Sequence, residues 1–146
     1  MIAYLDSSVL VRAYLVDEPG HAEVTSLLKD SELGRVTGTW TRIEVSGALV
    51  RAARAGRGDA AGLLELLDAD LGSHGPVSVV AVDQEGIEDV ALDLVRVHGL
   101  RAMDAWHLTV ASLCVPSLLE PGEEMGFATR DDAQAGVAVG MGFRLV

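Results

Sequence analysis

Cysteine is nearly missing from this chain: Cys114 stands alone among 146 residues. An internal disulfide is therefore excluded, and so is a zinc site built from cysteines. A lone thiol inside an apolar run reads as an inert core residue and fits a reducing compartment. Lysine is equally scarce, with Lys29 the only one, and aromatic residues make up 4 % of the chain. The core must be built from Leu, Val, Ile and Ala. Long apolar runs are lacking too. The longest, residues 108–119, is too short to span a bilayer and contains Pro116. The first six residues carry no basic stretch and reach an acid at Asp6, which is not the pattern of a signal peptide. The expectation is a soluble cytoplasmic protein with no membrane contact. No Walker A sequence and no His-Glu-x-x-His occurs. Gly56-Arg57-Gly58 follows a helical pattern rather than a strand, and the next glycine, Gly62, is misplaced for a dinucleotide fingerprint.

What is present suits one globular unit, expected to run over residues 1–146. Apolar residues make up 49 % and mean hydropathy is +0.31, so a sizeable core can be buried. No repeat, linker or low-complexity segment interrupts it. The charge balance is strongly acidic: 22 acidic against 11 basic residues give −11. A protein that binds nucleic acid by neutralising phosphate is usually basic, so this balance argues against such a partner unless the acids have another use. A bound divalent cation is one such use, because it reverses the local sign. An acidic surface elsewhere suits a basic protein partner.

Strand and helix patterns alternate. Apolar or β-branched runs at 2–5, 36–40, 77–82, 125–129 and 143–146 read as strands. Helical spacing follows each of the first four. Ser7 and Ser8 read as caps of a helix through Tyr14, and Pro19 suits the first turn of a second helix using Ala22, Val24, Leu27 and Leu28. Thr41 opens a third, stopped by Gly56 and Gly58, and leucines at 63–71 make a fourth. Helices are also expected at 87–95, 105–115 and 133–141. The pattern implies an α/β fold with a parallel sheet of about five short strands and helices on both faces.

Sites in such sheets form outside the carboxyl ends of the strands. Four acids are expected there: Asp6 ends the first strand, Glu44 follows the second, Asp104 precedes the helix expected from Ala105, and Asp131 follows the fourth strand. Each has an ordinary alternative. Asp104 and Asp131 suit helix N-caps, each worth roughly 1 kcal/mol. Thr41-Arg42-Ile43-Glu44 matches a capping box, and Asp6 suits a turn. Taken together, four carboxylates on one edge repel one another unless a cation joins them. Oxygen donors of this kind suit Mg²⁺ or Mn²⁺.

At these residues the chain resembles the PIN-domain family, and within it the VapC-type toxins of toxin–antitoxin pairs. The segments that carry the likeness are Ala3-Tyr4-Leu5-Asp6-Ser7-Ser8, Thr41-Arg42-Ile43-Glu44, Met103-Asp104-Ala105-Trp106-His107-Leu108 and Phe127-Ala128-Thr129-Arg130-Asp131. Their order and spacing agree with the family along essentially the whole chain. The resemblance implies a three-layer α/β/α fold and Mg²⁺- or Mn²⁺-dependent endonucleolytic cleavage of RNA. Asp6 and Asp104 match the principal metal ligands, Glu44 and Asp131 the other two acids, and Ser8 and Thr129 the supporting hydroxyls. Asp131 is preferred over the adjacent Asp132 because the family's acid falls two positions after a Ser or Thr. A homodimer and a cognate antitoxin protein are the partners implied.

Two other readings compete. A receiver-type phosphoacceptor domain shares the sheet and the acids, but needs a lysine at the site, and Lys29 is expected on a surface helix. A catalytically idle module that keeps the fold would show no uptake of Mg²⁺ or Mn²⁺. Arg51, Arg54 and Arg57 are spaced to share one side of a helix end and read as solvated charges. His107 reads as a structural residue of an apolar helix, and Trp40 and Trp106 as core or dimer contacts.

Overall fold

A computed structural model describes residues 1–146. Five parallel strands make one sheet in the order β3-β2-β1-β4-β5: β1 (Ile2–Leu5), β2 (Gly34–Gly38), β3 (Ser78–Val80), β4 (Met125–Ala128) and β5 (Arg144–Leu145). Seven helices connect them: α1 (Ser7–Tyr14), α2 (His21–Lys29), α3 (Thr39–Arg54), α4 (Ala60–Asp70), α5 (Gln84–His98), α6 (Ala102–Leu118) and α7 (Asp132–Gly140). The chain moves outward from β1 to β3, then returns to lay β4 on the other side of β1. The strand order therefore reverses between β1 and β4, and the crevice at their carboxyl ends is the expected place for a site.

The period-two alternation of the central strands divides the core into two layers. Tyr4 and Phe127 face one side, where Ile87, Leu94, Leu108 and Val115 of α5 and α6 cover them. Ala3, Leu5 and Ala128 face the other, against Val9 and Leu10 of α1, Val45 and Leu49 of α3, and Leu67 of α4. The result is the three-layer α/β/α arrangement that alternating patterns imply. Small residues let the central strands approach. A Cβ at Gly126 would come within 2.9 Å of the Ala3 Cβ on the neighbouring strand.

Several local expectations need correction. Asp6, not Ser7 or Ser8, caps α1: its carboxylate accepts the Ser8 N–H at 2.9 Å, and both serines lie inside the helix. Pro19 lies outside α2, whose N-cap is Gly20 in the left-handed region at φ 89°. The second strand ends at Gly38, and Trp40 is already helical, because α3 starts at Thr39. No capping box forms there. The buried Thr41 hydroxyl instead pairs with the Thr37 hydroxyl at 2.7 Å, and Thr37 donates to the Leu5 carbonyl at 2.7 Å. That chain of bonds pins the start of α3 to the end of β1. α6 begins at Ala102, three residues earlier than expected, so Asp104 lies in its first turn rather than before it. No helix is long and apolar enough to cross a membrane.

Candidate active site

The carboxyl ends of β1 and β4 are tied by the Asp6 amide, which donates to the Ala128 carbonyl at 3.0 Å. Asp6 is 4 % exposed. One of its oxygens accepts the Ser8 N–H. The other, Oδ1, has only long contacts, 3.5 Å to Gln134 Nε2 and 3.5 Å to His107 Nε2. A nearly buried carboxylate oxygen with such weak partners keeps lone pairs for a further electrophile.

Glu44 comes from the second turn of α3 and faces the same hollow. Its Oε1 accepts from Ser7 Oγ at 3.0 Å and from His107 Nε2 at 2.6 Å. An ionised carboxylate only accepts, so Nε2 carries a proton. The other ring nitrogen, Nδ1, bonds the Tyr4 hydroxyl at 2.8 Å, and that hydroxyl also accepts the Gly38 N–H at 3.0 Å. A buried chain thus runs from the β2–α3 junction through Tyr4 and His107 to Glu44. Burial pushes the Tyr4 phenol well above its usual range, so it keeps its proton. Burial also acts to raise the Glu44 carboxyl, but hydrogen bonding and charge from His107, helped by Ser7, hold it below the ordinary range. His107 is therefore more than a core residue. It is 1 % exposed and fixes one of the acids.

Asp104 and Asp131 meet across one guanidinium. Arg101, the N-cap residue of α6, donates from Nε to Asp104 Oδ2 at 2.7 Å and from an Nη to Asp131 Oδ2 at 2.8 Å. Bonding to Asp104, then the charge of both acids, raises its already high pKa. Asp131 does double duty: its Oδ1 accepts the Gln134 N–H at 2.9 Å and caps α7, as the ordinary reading expects. Of the two adjacent aspartates, Asp131 joins this group, while Asp132 begins α7 and is exposed.

The hydroxyls Ser8 and Thr129 act on the β4–α7 turn. Ser8 Oγ accepts the Arg130 N–H at 3.1 Å, and Thr129 Oγ1 accepts the Asp131 N–H at 3.1 Å while donating to Gln134. Gln134 is fully buried, and its Nε2 also donates to the Asp104 carbonyl at 3.1 Å. It couples α7, α6 and Asp6. Sequence reasoning assigned nothing to Gln134, Tyr4 or Arg101. A polar residue in a short helix of small apolar ones was the only signal for Gln134.

Asp6, Glu44 and Asp104 line one open hollow of about 390 Å³, together with Ser7, Ser8 and Arg101. The donor set is all oxygen, which suits a hard divalent cation. No three acids form a ready-made ligand cage in this conformation. The four acids do share the β1–β4 crevice and its rim. Lys29 ends α2 and lines a separate hollow with Tyr14, Asp70 and Pro76, so the receiver reading lacks its lysine. Arg57 is not a free surface charge: it pairs with Asp17 and Glu18.

Comparison with known proteins gives two positive findings. Residues 3–138 match the PIN domain. Five solved chains also match, among them a toxin-antitoxin complex from Klebsiella pneumoniae, 17 % identical. That match covers 99 % of this chain and 95 % of the other, with a TM-score of 0.60. At this identity it supports the fold alone. No curated protein matches the sequence.

Proposed function

This chain belongs to the PIN-domain family, and from that premise we propose that it is a Mg²⁺- or Mn²⁺-dependent endoribonuclease, the toxin of a toxin–antitoxin pair. Family membership supports a nuclease at the coarse level. One observation of the structure carries the finer reading. Three carboxylates from three separate elements, Asp6, Glu44 and Asp104, line one hollow at the strand reversal, and Asp131 lies at its rim.

In this reading Asp6 and Asp104 are the principal ligands, with Glu44 and Asp131 completing the donor set. Asp6, Asp104, Glu44 and Asp131 would hold the divalent ion, and the chemistry it would supply is activation of water near neutral pH and neutralisation of developing negative charge. The chain's own residues do the rest. Ser8 N–H holds one Asp6 oxygen, so the other points to the hollow. His107 and Ser7 fix Glu44 from the protein side and leave Oε2 free. Gln134 sets the spacing between Asp6 and the first turn of α6. Arg101 balances Asp104 and Asp131 until a cation or a phosphate takes up one of the charges.

The antitoxin and a homodimer are the proposed partners. The solved relative is itself a toxin-antitoxin complex, and the acidic surface of this chain suits a basic partner segment. The deciding experiment combines calorimetric Mn²⁺ titration with cleavage of a defined RNA by the native chain, Asp6→Asn and Asp104→Asn. Native protein should take up Mn²⁺ and cut RNA to 5′-phosphate and 3′-hydroxyl ends, and both variants should lose uptake and cutting together. Full metal-dependent cleavage by clean Asp6→Asn overturns the assignment.

A further inference from the structure

Cations are few in this chain, and four of its 11 basic residues are committed to ion pairs. Arg42 pairs with Asp68, Arg57 with Asp17 and Glu18, Arg101 with Asp104 and Asp131, and Arg144 with Glu124. Arg12 and Arg130 make no ion pair, yet they lie together beside the acidic hollow.

Ser8 links both of them to the site. Its amide holds Asp6, its hydroxyl accepts the Arg130 N–H at 3.1 Å, and its carbonyl accepts Arg12 Nε at 3.2 Å. Arg12 Nη1 also donates to the Pro19 carbonyl. Neutral carbonyls fix this guanidinium without cancelling its charge. The Arg130 side chain makes no hydrogen bond within the chain and reaches over Gly20. A Cβ at Gly20 would stand 3.2 Å from Arg130 Nη2 and 3.4 Å from Arg12 Nη1. Both guanidinium groups therefore approach the same point beside a residue with no side chain, at φ 89°, where only glycine is at ease. The acids of the same turn, Asp17 and Glu18, are withdrawn by Arg57.

Two like charges brought together without a counter-ion call for an anion between them. Guanidinium forks match phosphate oxygens, and contacts of this kind position a nucleic acid without reading its bases. We propose that Arg12 and Arg130 form a phosphate subsite, which holds a backbone phosphate of single-stranded RNA next to the one cut at the acidic hollow. This inference rests on the nuclease reading and adds to it the side from which the strand enters.

The test is fluorescence anisotropy of labelled single-stranded RNA on the full chain carrying Asp104→Asn to prevent cleavage, titrated across NaCl concentrations. Each phosphate contact on a single strand contributes about 0.7 to the slope of log K against log salt. Arg130→Gln should flatten the slope by about 0.7, and the Arg12→Gln, Arg130→Gln pair by about 1.4, equally for RNAs of different sequence. Arg96→Gln, in the last turn of α5, removes the same bulk charge and should leave the slope in place. Should Arg12→Gln misfold, Arg130→Gln alone decides, because its side chain bonds nothing in the fold. An unchanged slope in Arg130→Gln, or equal flattening by Arg96→Gln, overturns the subsite while the nuclease reading stands. If the native chain neither binds nor cuts RNA, both fall. Inorganic phosphate added as competitor should displace RNA more weakly from Arg130→Gln than from the background chain. Equal displacement counts against the pair.

Discussion

Replacing Tyr4 with Phe removes one oxygen from the centre of the molecule and nothing else. The ring stays, stacked on Phe127 with centroids 5.6 Å apart and planes 7° from parallel. Tyr4 is fully buried, so no water replaces the lost hydroxyl from the surface. Two groups lose a partner: the Gly38 N–H at 3.0 Å and His107 Nδ1 at 2.8 Å. A buried polar group left unsatisfied costs about 1–3 kcal/mol. Two of them give about 2–6 kcal/mol, or a fall in Tm of about 6–18 °C for a chain of this size. Urea unfolding followed by far-ultraviolet circular dichroism measures the loss. Fluorescence of Trp106, whose ring lies 5.1 Å from that of His107, reports repacking at the same place. A double-mutant cycle with His107→Leu should return a coupling of about 1–2 kcal/mol, as expected for residues in one buried network. If Tyr4→Phe costs less than about 0.5 kcal/mol, which is the range of an ordinary surface change, the buried chain from Gly38 to Glu44 does not hold the site together.

Three further outcomes follow from the same geometry. Gly38→Ala would place a Cβ 2.6 Å from Trp106 Cη2 and 2.7 Å from the Tyr4 hydroxyl; overpacking of that kind costs about 1–3 kcal/mol, and an unchanged urea midpoint would count against it. Arg101→Gln removes the positive charge between Asp104 and Asp131, so calorimetry should find tighter Mn²⁺ binding, and weaker binding would mean that Arg101 prepares the ligands rather than competing for them. Burial pushes the Cys114 thiol from 9.0 up to about 11. Its neutral form is favoured in the folded state, so this contribution to stability is complete below pH 9.0 and is lost as pH rises through about 11. A thiol reagent at pH 8 should leave the folded protein unlabelled until urea unfolds it, and prompt labelling would contradict the burial.

The fold was legible wherever one rule governed a segment. β1 and β4 are short apolar runs buried on both faces, and Asp6 and Asp131 follow their carboxyl ends as expected of acids in a parallel sheet. Boundaries failed where a side chain answered to a distant partner. Thr41 looks like the opening of a capping box, but its hydroxyl goes to Thr37 and through it to β1, so Glu44 is free to turn toward Ser7 and His107. Nothing near Glu44 in the chain announces that turn, because its histidine partner lies 63 positions away. His107 was read as a core residue on its apolar helix, and it is one. Its Nε2 nonetheless faces Glu44 at the site while Nδ1 turns inward to Tyr4, directions that spacing alone does not give. Arg101 carries no sequence signal of a role at the site. Only the fold brings it within reach of Asp131, 30 positions on.

On the proposed function, an acidic chain receives a polyanion only if its charges are settled locally. Net charge of −11 describes the whole surface, yet salt confines electrostatic reach to about 8 Å at physiological ionic strength. Within that radius the pairing pattern matters more than the total. Arg101 already cancels part of the acidic edge, and a divalent ion would reverse the sign of what remains. Arg57 acts one step further back. By taking both Asp17 and Glu18 it keeps those acids off Arg12 and Arg130, so at the proposed subsite its influence on a phosphate would be exerted through charges it removes rather than a contact it makes. The remaining acids are left to serve elsewhere on the surface; in the proposed reading they repel RNA there, while Arg12 and Arg130 offer it unpaired charge beside Ser8 at the acidic hollow.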